Sequence, residues 1–399
     1  SYPWRGRSTC NPAPGVSGSP DKTGAAATQV DAFFDGEWGY RRMILHYAQL
    51  CKDAGGVDAF LVGSELRGLM RVRSDATTYP AVAAFKTLAA DVRAILGAGT
   101  KIGYAADWSE YNNHQTGDAP GAVLFNLDPL WSDANIDFVG IDNYLPLADW
   151  RDGTAQADYD AVNGPTGTHD TAYLARNIQR GEDYDWYYAS DADRNAQLRT
   201  AITDGSGKPW IFRQKDFWNW WSNPHYDRAD GSESGSPTGW APQSKPIWFC
   251  ELGCPAVEKG ANQPNVFVDA KSSESAFPYY SNGERDDLIQ RRFLEAHLNF
   301  WAEPANNPFS SVYSGRMIDT SNLYLWTWDA RPYPFFPSRS DVWGDAENYR
   351  LGHWLNGRLG AVQLSDLVSD ICADAGFTDC DVSNLDGLVT GYAVTDTMS

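Results

Sequence analysis

Two hydrophobic rhythms alternate along this chain. Short apolar runs that close in polar or aromatic residues predict buried strands over 58–63, 101–107, 136–144, 246–251 and 323–329. Between them, apolar residues recur three and four positions apart, the helical period. That spacing predicts a helix over 27–54, carried by Val30, Phe33, Phe34, Met43, Ile44, Tyr47, Ala48 and Cys51 and closed by Asp53-Ala-Gly-Gly56. It predicts another over 81–97, with Val82, Phe85, Leu88, Val92 and Leu96 on one stripe. A third covers 285–301, with Leu288, Ile289, Phe293, Leu294, Leu298 and Trp301 as its apolar set. Residues 1–26 are rich in Pro, Gly and Ser and read as a loop, and 121–132 as a short helix or turn. Residues 145–244 form a long polar excursion around an aromatic stretch, Lys215-Asp-Phe-Trp-Asn-Trp-Trp221.

Strands alternating with helices argue for parallel βα units, so the fold class is α/β. Every strand ends in polar or aromatic residues, as in a (β/α)8 barrel whose site lies on one face. About five barrel strands are legible. The first three would lie before Ser1 or be cryptic in residues 1–12. The excursion then falls after the sixth strand. Residues 361–399 differ in character: Gln363 to Gly376 is a compact amphipathic helix closed by Gly, and Asp379 to Val394 reads as a turn and strand. The expected division is a barrel over 1–360 and the start of a second small domain over 361–399. The chain opens Ser1-Tyr-Pro-Trp without Met, as a piece of a longer polypeptide would.

Two strands deliver a glutamate. Val57-Asp-Ala-Phe-Leu-Val-Gly-Ser-Glu65 and Lys245-Pro-Ile-Trp-Phe-Cys-Glu-Leu-Gly253 each end an apolar run on a carboxylate. A buried acid costs free energy, so a pair at strand ends suggests chemistry. Glycoside hydrolysis needs two such carboxylates, one to protonate the leaving oxygen and one to attack the sugar or activate water.

Composition narrows the partners. A net charge of −20 opposes nucleic-acid binding and docking on anionic lipid. No apolar run is long enough to span a membrane. Aromatic content is 14%, with 17 Trp and 20 Tyr, which suits either stacking on sugar rings or filling a large core. The His and Cys residues show no metal-ligand spacing, so no metal or cofactor is expected. Cys51 and Cys250 read as buried small hydrophobes, while Cys372 and Cys380 bracket a helix end and leave a local bridge open.

The ordered motifs Val62-Gly-Ser-Glu65, Tyr104-Ala-Ala-Asp107-Trp108, Val139-Gly-Ile-Asp142-Asn143-Tyr144, Trp248-Phe-Cys-Glu251 and Trp326-Thr-Trp328-Asp329 resemble the retaining glycosidases of clan A. Tyr2-Pro-Trp-Arg-Gly-Arg7, Cys10-Asn-Pro-Ala-Pro-Gly15, the stretch from Glu251 to Phe267, and Lys271 to Ala276 with Arg285 to Arg292 look more narrowly like one family. It is the glycosidase-like barrel domain of the large baseplate protein of gene transfer agents and related siphophages. The resemblance covers about residues 1–360. It implies Glu65 as acid/base, Glu251 as nucleophile and Tyr144 beside the nucleophile. It implies a substrate-binding wall of Ser64, Asp107, Trp108, Asp142 and Asn143, with Trp326 or Trp328 stacking on sugar and the other of the two in the core. It also implies a virion tail-tip protein that meets host surface polysaccharide or peptidoglycan, binds other tail and baseplate proteins, and forms a homotrimer. In clan A an Asn usually precedes the acid/base; here Ser64 stands there. The competing reading is a catalytically inactive structural or carbohydrate-binding baseplate domain.

Overall fold

The computed structural model describes residues 2–162, 164–165, 167–359, 362–377 and 379–389. Its centre is a parallel sheet of five strands: β1 (Ala59–Ser64), β2 (Lys101–Asp107), β3 (Phe138–Asn143), β4 (Ile247–Leu252) and β5 (Ile318–Leu325). They lie side by side in chain order. The principal helices are α1 (Gly24–Asp35), α2 (Tyr40–Asp53), α3 (Pro80–Leu96) and α4 (Asp287–Ala302). Consecutive parallel neighbours are the barrel arrangement, and these are the five strands legible in the sequence. Residues 2–12 hold a 3-10 turn at Arg5–Arg7 and an isolated bridge from Tyr2 to Ser272, not a strand.

The single helix expected over 27–54 is two. The chain turns at Gly36-Glu-Trp-Gly39, where a Cβ on Gly39 would lie 2.4 Å from the Phe34 carbonyl oxygen. Both helices then pack on α3. Phe34, Tyr40 and Tyr104 surround the buried Phe85 ring at centroid distances of 5.0, 5.7 and 5.2 Å. Gly63 of β1 passes so close that a Cβ there would sit 2.8 Å from the same ring. Phe85 therefore fixes the height of the strand that carries Glu65. Phe85→Ala should lower unfolding free energy by about 3–5 kcal/mol, read as a shift in the denaturant midpoint at unchanged slope.

The last strand begins earlier than its apolar pattern suggests and ends earlier too. Asp319, Thr320, Ser321 and Asn322 disguise its first half, yet Ile318 pairs with Ile247 and Leu325 with Leu252. The excursion carries two short antiparallel strands, Trp186–Tyr187 and Thr200–Ala201, and a short helix at Phe217–Ser222. Trp220 and Trp221 of that helix are buried, and Trp220 packs on Tyr111, His225 and Trp240. This aromatic cluster joins the main hydrophobic core.

Beyond the barrel, Val362–Gln363 pairs with Leu388–Val389 and a helix spans Leu364–Asp374. Arg292 of α4 forms an ion pair with Asp366 of that helix. The strand expected up to Val394 lies partly outside the described residues. Cys372 and Cys380 are free thiols, and Cys51 is half-buried rather than buried, as is Cys250. Among the described residues, no helix is long and apolar enough to cross a membrane.

Candidate active site

The carboxyl ends of β1 to β4 converge on one cleft. Register sets Asp107 beside Asp142 and Asp142 beside Glu251 across β2, β3 and β4. The pairing shifts by one residue between Ile141 and Asp142, where Cys250 is the extra residue on β4. A bulge of this kind re-aims the next side chain, here Glu251. Glu65 follows a second irregularity, between Leu61 and Ser64, and adopts φ +50. Few non-glycine residues take that conformation without outside support. Its support comes from two neighbours: Glu65 N–H donates to the Ala105 carbonyl at 2.8 Å, and Leu66 N–H donates to the Tyr104 hydroxyl at 2.8 Å. Tyr104 in turn donates to Glu110 Oε1 at 2.8 Å, and the Asp107 N–H donates to Glu110 Oε2 at 3.1 Å. One buried glutamate thus braces the ends of two strands.

Oxygens of Glu65, Asp142 and Glu251 lie within 4.8 Å of one another. The Tyr144 hydroxyl donates to Glu251 Oε2 at 2.6 Å. Ser64 donates to Asp142 Oδ2 at 3.0 Å. The cleft has a volume of ≈ 720 Å³, and Glu65, Asp107, Tyr144, Glu251 and Trp326 line it. Trp326 is 44% exposed.

Of the expected substrate-contacting residues, Asp107, Tyr144 and Trp326 line the cleft; Ser64 and Asp142 adjoin the glutamates without lining it, and three others are elsewhere. Asn143 alternates with Asp142 on β3 and pairs with core residue Leu252, so it faces the opposite side of the sheet; its Oδ1 accepts from Leu145 N–H. Trp108 packs against the hydrophobic core and does not line the cleft. Trp328 is 66% exposed and also outside the cleft. Neither Trp326 nor Trp328 is in the core: residues two apart on a strand share a face, so alternation does not separate them, and β5 ends at Leu325 before either.

Two residues that the strand pattern missed reach the centre of the site. Trp4 Nε1 donates to Glu65 Oε2 at 2.7 Å. Arg5 Nη2 donates to Ser64 Oγ at 2.9 Å and lies 3.1 Å from Glu65 Oε2 and 3.6 Å from Glu251 Oε1. Their segment is held down through Tyr2, which exchanges backbone hydrogen bonds with Lys271 and Ser273, and through the Arg7–Glu274 ion pair. The one available signal was the motif Tyr2-Pro-Trp-Arg-Gly-Arg7 itself, set in a segment without periodicity.

A family model described as GTA TIM-barrel-like domain matches residues 38–337. The chain belongs to this GTA TIM-barrel-like family. Among solved structures, a GH113 beta-mannanase from Alicyclobacillus acidocaldarius, in complex with ManMIm, is similar at 16% identity and a TM-score of 0.34, over 84% of this chain and 60% of that one. A complex of a GH113 beta-1,4-mannanase is similar at 14% identity and a TM-score of 0.35, over 80% of this chain and 58% of that one. The chain spans about three fifths of the length of those two proteins. No curated protein matches it.

In this GTA barrel domain, burial dominates the electrostatics of the site. Burial raises the Glu65 carboxyl to about 7, against the opposing pull of Arg5 and the Trp4 hydrogen bond, with Asp107 and Glu251 adding to the rise. Burial also raises Glu251, while the Tyr144 hydrogen bond and Arg5 hold it down. Asp142 is the extreme case: burial, then the charges of Glu251 and Glu65, push it well above the ordinary carboxylate range. Glu65, Asp142 and Glu251 are the described residues whose oxygens come close enough to share a cation. The Arg5 guanidinium already lies against two of them and supplies a compensating charge.

Proposed function

We propose that this domain hydrolyses a glycan by a retaining two-carboxylate mechanism. The observation that carries the reading is the approach of Glu65 and Glu251 oxygens to within 4.8 Å in one open cleft. Retaining enzymes hold their carboxyl groups about 5–5.5 Å apart, whereas inverting enzymes leave about 6.5–9.5 Å for a water between them. Glu251 Oε1 attacks the anomeric carbon and the glycosidic C–O bond breaks. Glu65 gives its proton to the departing oxygen. Glu65 then takes a proton from water as that water displaces Glu251 and restores it. Tyr144 holds Glu251 Oε2, and Oε1, 3.6 Å from Arg5 Nη2, is the oxygen left to attack. Trp326 offers a half-exposed ring for the sugar's apolar face. Asp107 walls the cleft, and Ser64 donates to the buried Asp142 beside the two glutamates.

The family assignment supports a gene transfer agent particle as the setting. Host surface polysaccharide or peptidoglycan is then the proposed substrate, at a tail tip built with other baseplate proteins as a trimer. Residues 361–399 are read as the start of the next module of that protein. A second reading, a binding or scaffold domain without turnover, draws on Ser64, whose hydroxyl is committed to Asp142 and Arg5 rather than to a sugar.

Incubating the domain with host capsule, lipopolysaccharide and peptidoglycan separates the two readings. Release of new reducing ends from one of them is the expected result. Binding without release across the panel would sink the enzyme reading. The pH dependence gives a finer check. As the general acid, Glu65 must be protonated, so kcat/KM should fall as pH rises through about 7. A rate that stays level up to pH 9 would remove Glu65 from that role.

A further inference from the structure

Any sugar that reacts between Glu65 and Glu251 must meet Arg5. Its Nη2 lies 3.1 Å from one carboxylate and 3.6 Å from the other, so the guanidinium occupies the edge of the space that the reacting carbon enters. The side chain is 49% exposed and helps to line the cleft. Ser64 and Glu65 fix the guanidinium from behind. The backbone bonds of Tyr2 to the 271–273 segment fix it from the side.

We propose, resting on the retaining reading above, that Arg5 donates a hydrogen bond to the substituent on the carbon next to the reacting one. An arginine offers donors and no acceptor. The group it meets must therefore accept: a hydroxyl or an acetamido carbonyl suits it, and a hydrogen or a protonated amine does not. Hydrogen bonds at that position strengthen as the transition state forms. A charged donor there should therefore enter the rate more than the affinity. The same arginine sets a substrate class: glycans that keep an acceptor beside the cleaved linkage, not 2-deoxy or 2-amino sugars.

Cyclitol epoxides test this directly. They alkylate the nucleophile of a retaining site, and each ring configuration can be made with or without the hydroxyl beside the reacting carbon. The wild-type domain should be labelled about 10- to 100-fold faster by the hydroxylated member of a pair, the range expected of one hydrogen bond to a charged group. In Arg5→Met that advantage should collapse to less than about threefold. Arg5→Lys, which returns a charged donor to the same position, should recover a preference above that of Arg5→Met. The comparison is a ratio within each variant, so a general loosening of the segment cancels. An undiminished advantage in Arg5→Met overturns the inference and leaves the retaining mechanism standing. A preference in Arg5→Lys no higher than in Arg5→Met assigns it to the segment rather than to the donor and also overturns the inference. Failure of every configuration to label the wild type overturns both.

Discussion

Glu251→Gln should abolish glycan turnover while leaving the fold and glycan binding intact. Gln is isosteric with Glu, and its carbonyl oxygen can still accept from the Tyr144 hydroxyl that lies 2.6 Å from Glu251 Oε2. What the substitution removes is the negative oxygen that attacks carbon. No described neighbour replaces it: Asp142 is held well above the ordinary carboxylate range and has no exposed surface. Asp107 lines the cleft, but burial raises its carboxyl above the ordinary range and its Oδ1 accepts from the Ser109 N–H and hydroxyl. Losing a nucleophile without a substitute costs on the order of 10⁴- to 10⁶-fold in kcat. The checks are kcat with an activated aryl glycoside and the dissociation constant for the polysaccharide. Turnover within tenfold of wild type would assign the attack to another group.

Glu65→Gln should show a smaller loss with a diagnostic shape. Removing a general acid costs roughly 10²- to 10⁴-fold, most where the leaving group most needs a proton. Substrates with acidic phenol leaving groups should therefore suffer least in the first step. The alkaline limb near pH 7 should disappear, because the group raised to about 7 by burial is gone. The sign follows from burial, which disfavours the charged carboxylate and keeps Glu65 protonated to higher pH than an exposed glutamate. An equal loss on good and poor leaving groups would contradict the acid role.

The glutamates were legible because their strands are written plainly. Ile247-Trp-Phe and Phe60-Leu-Val are apolar up to the residue that turns into the cleft, and a carboxylate there has no packing purpose. Their convergence was legible too, since parallel strands in chain order bring their carboxyl ends together. What stayed hidden depends on geometry that periodicity does not encode. Trp4 and Arg5 sit on a Pro- and Gly-rich stretch that is docked through Tyr2's backbone bonds to residues 271 and 273, far along the chain. Asn143 looked like its neighbour Asp142, but strand alternation turns it away. Glu110 carries no signal in the sequence pattern; the fold buries it against Tyr104, whose hydroxyl accepts from the peptide after Glu65.

The most direct measurement is the site of covalent labelling by a cyclitol epoxide, read by peptide mass spectrometry. A retaining pair built on Glu65 and Glu251 predicts a single adduct on Glu251, absent in Glu251→Gln. An adduct on another residue, or none from any ring configuration on a folded domain, would contradict a retaining site at this pair.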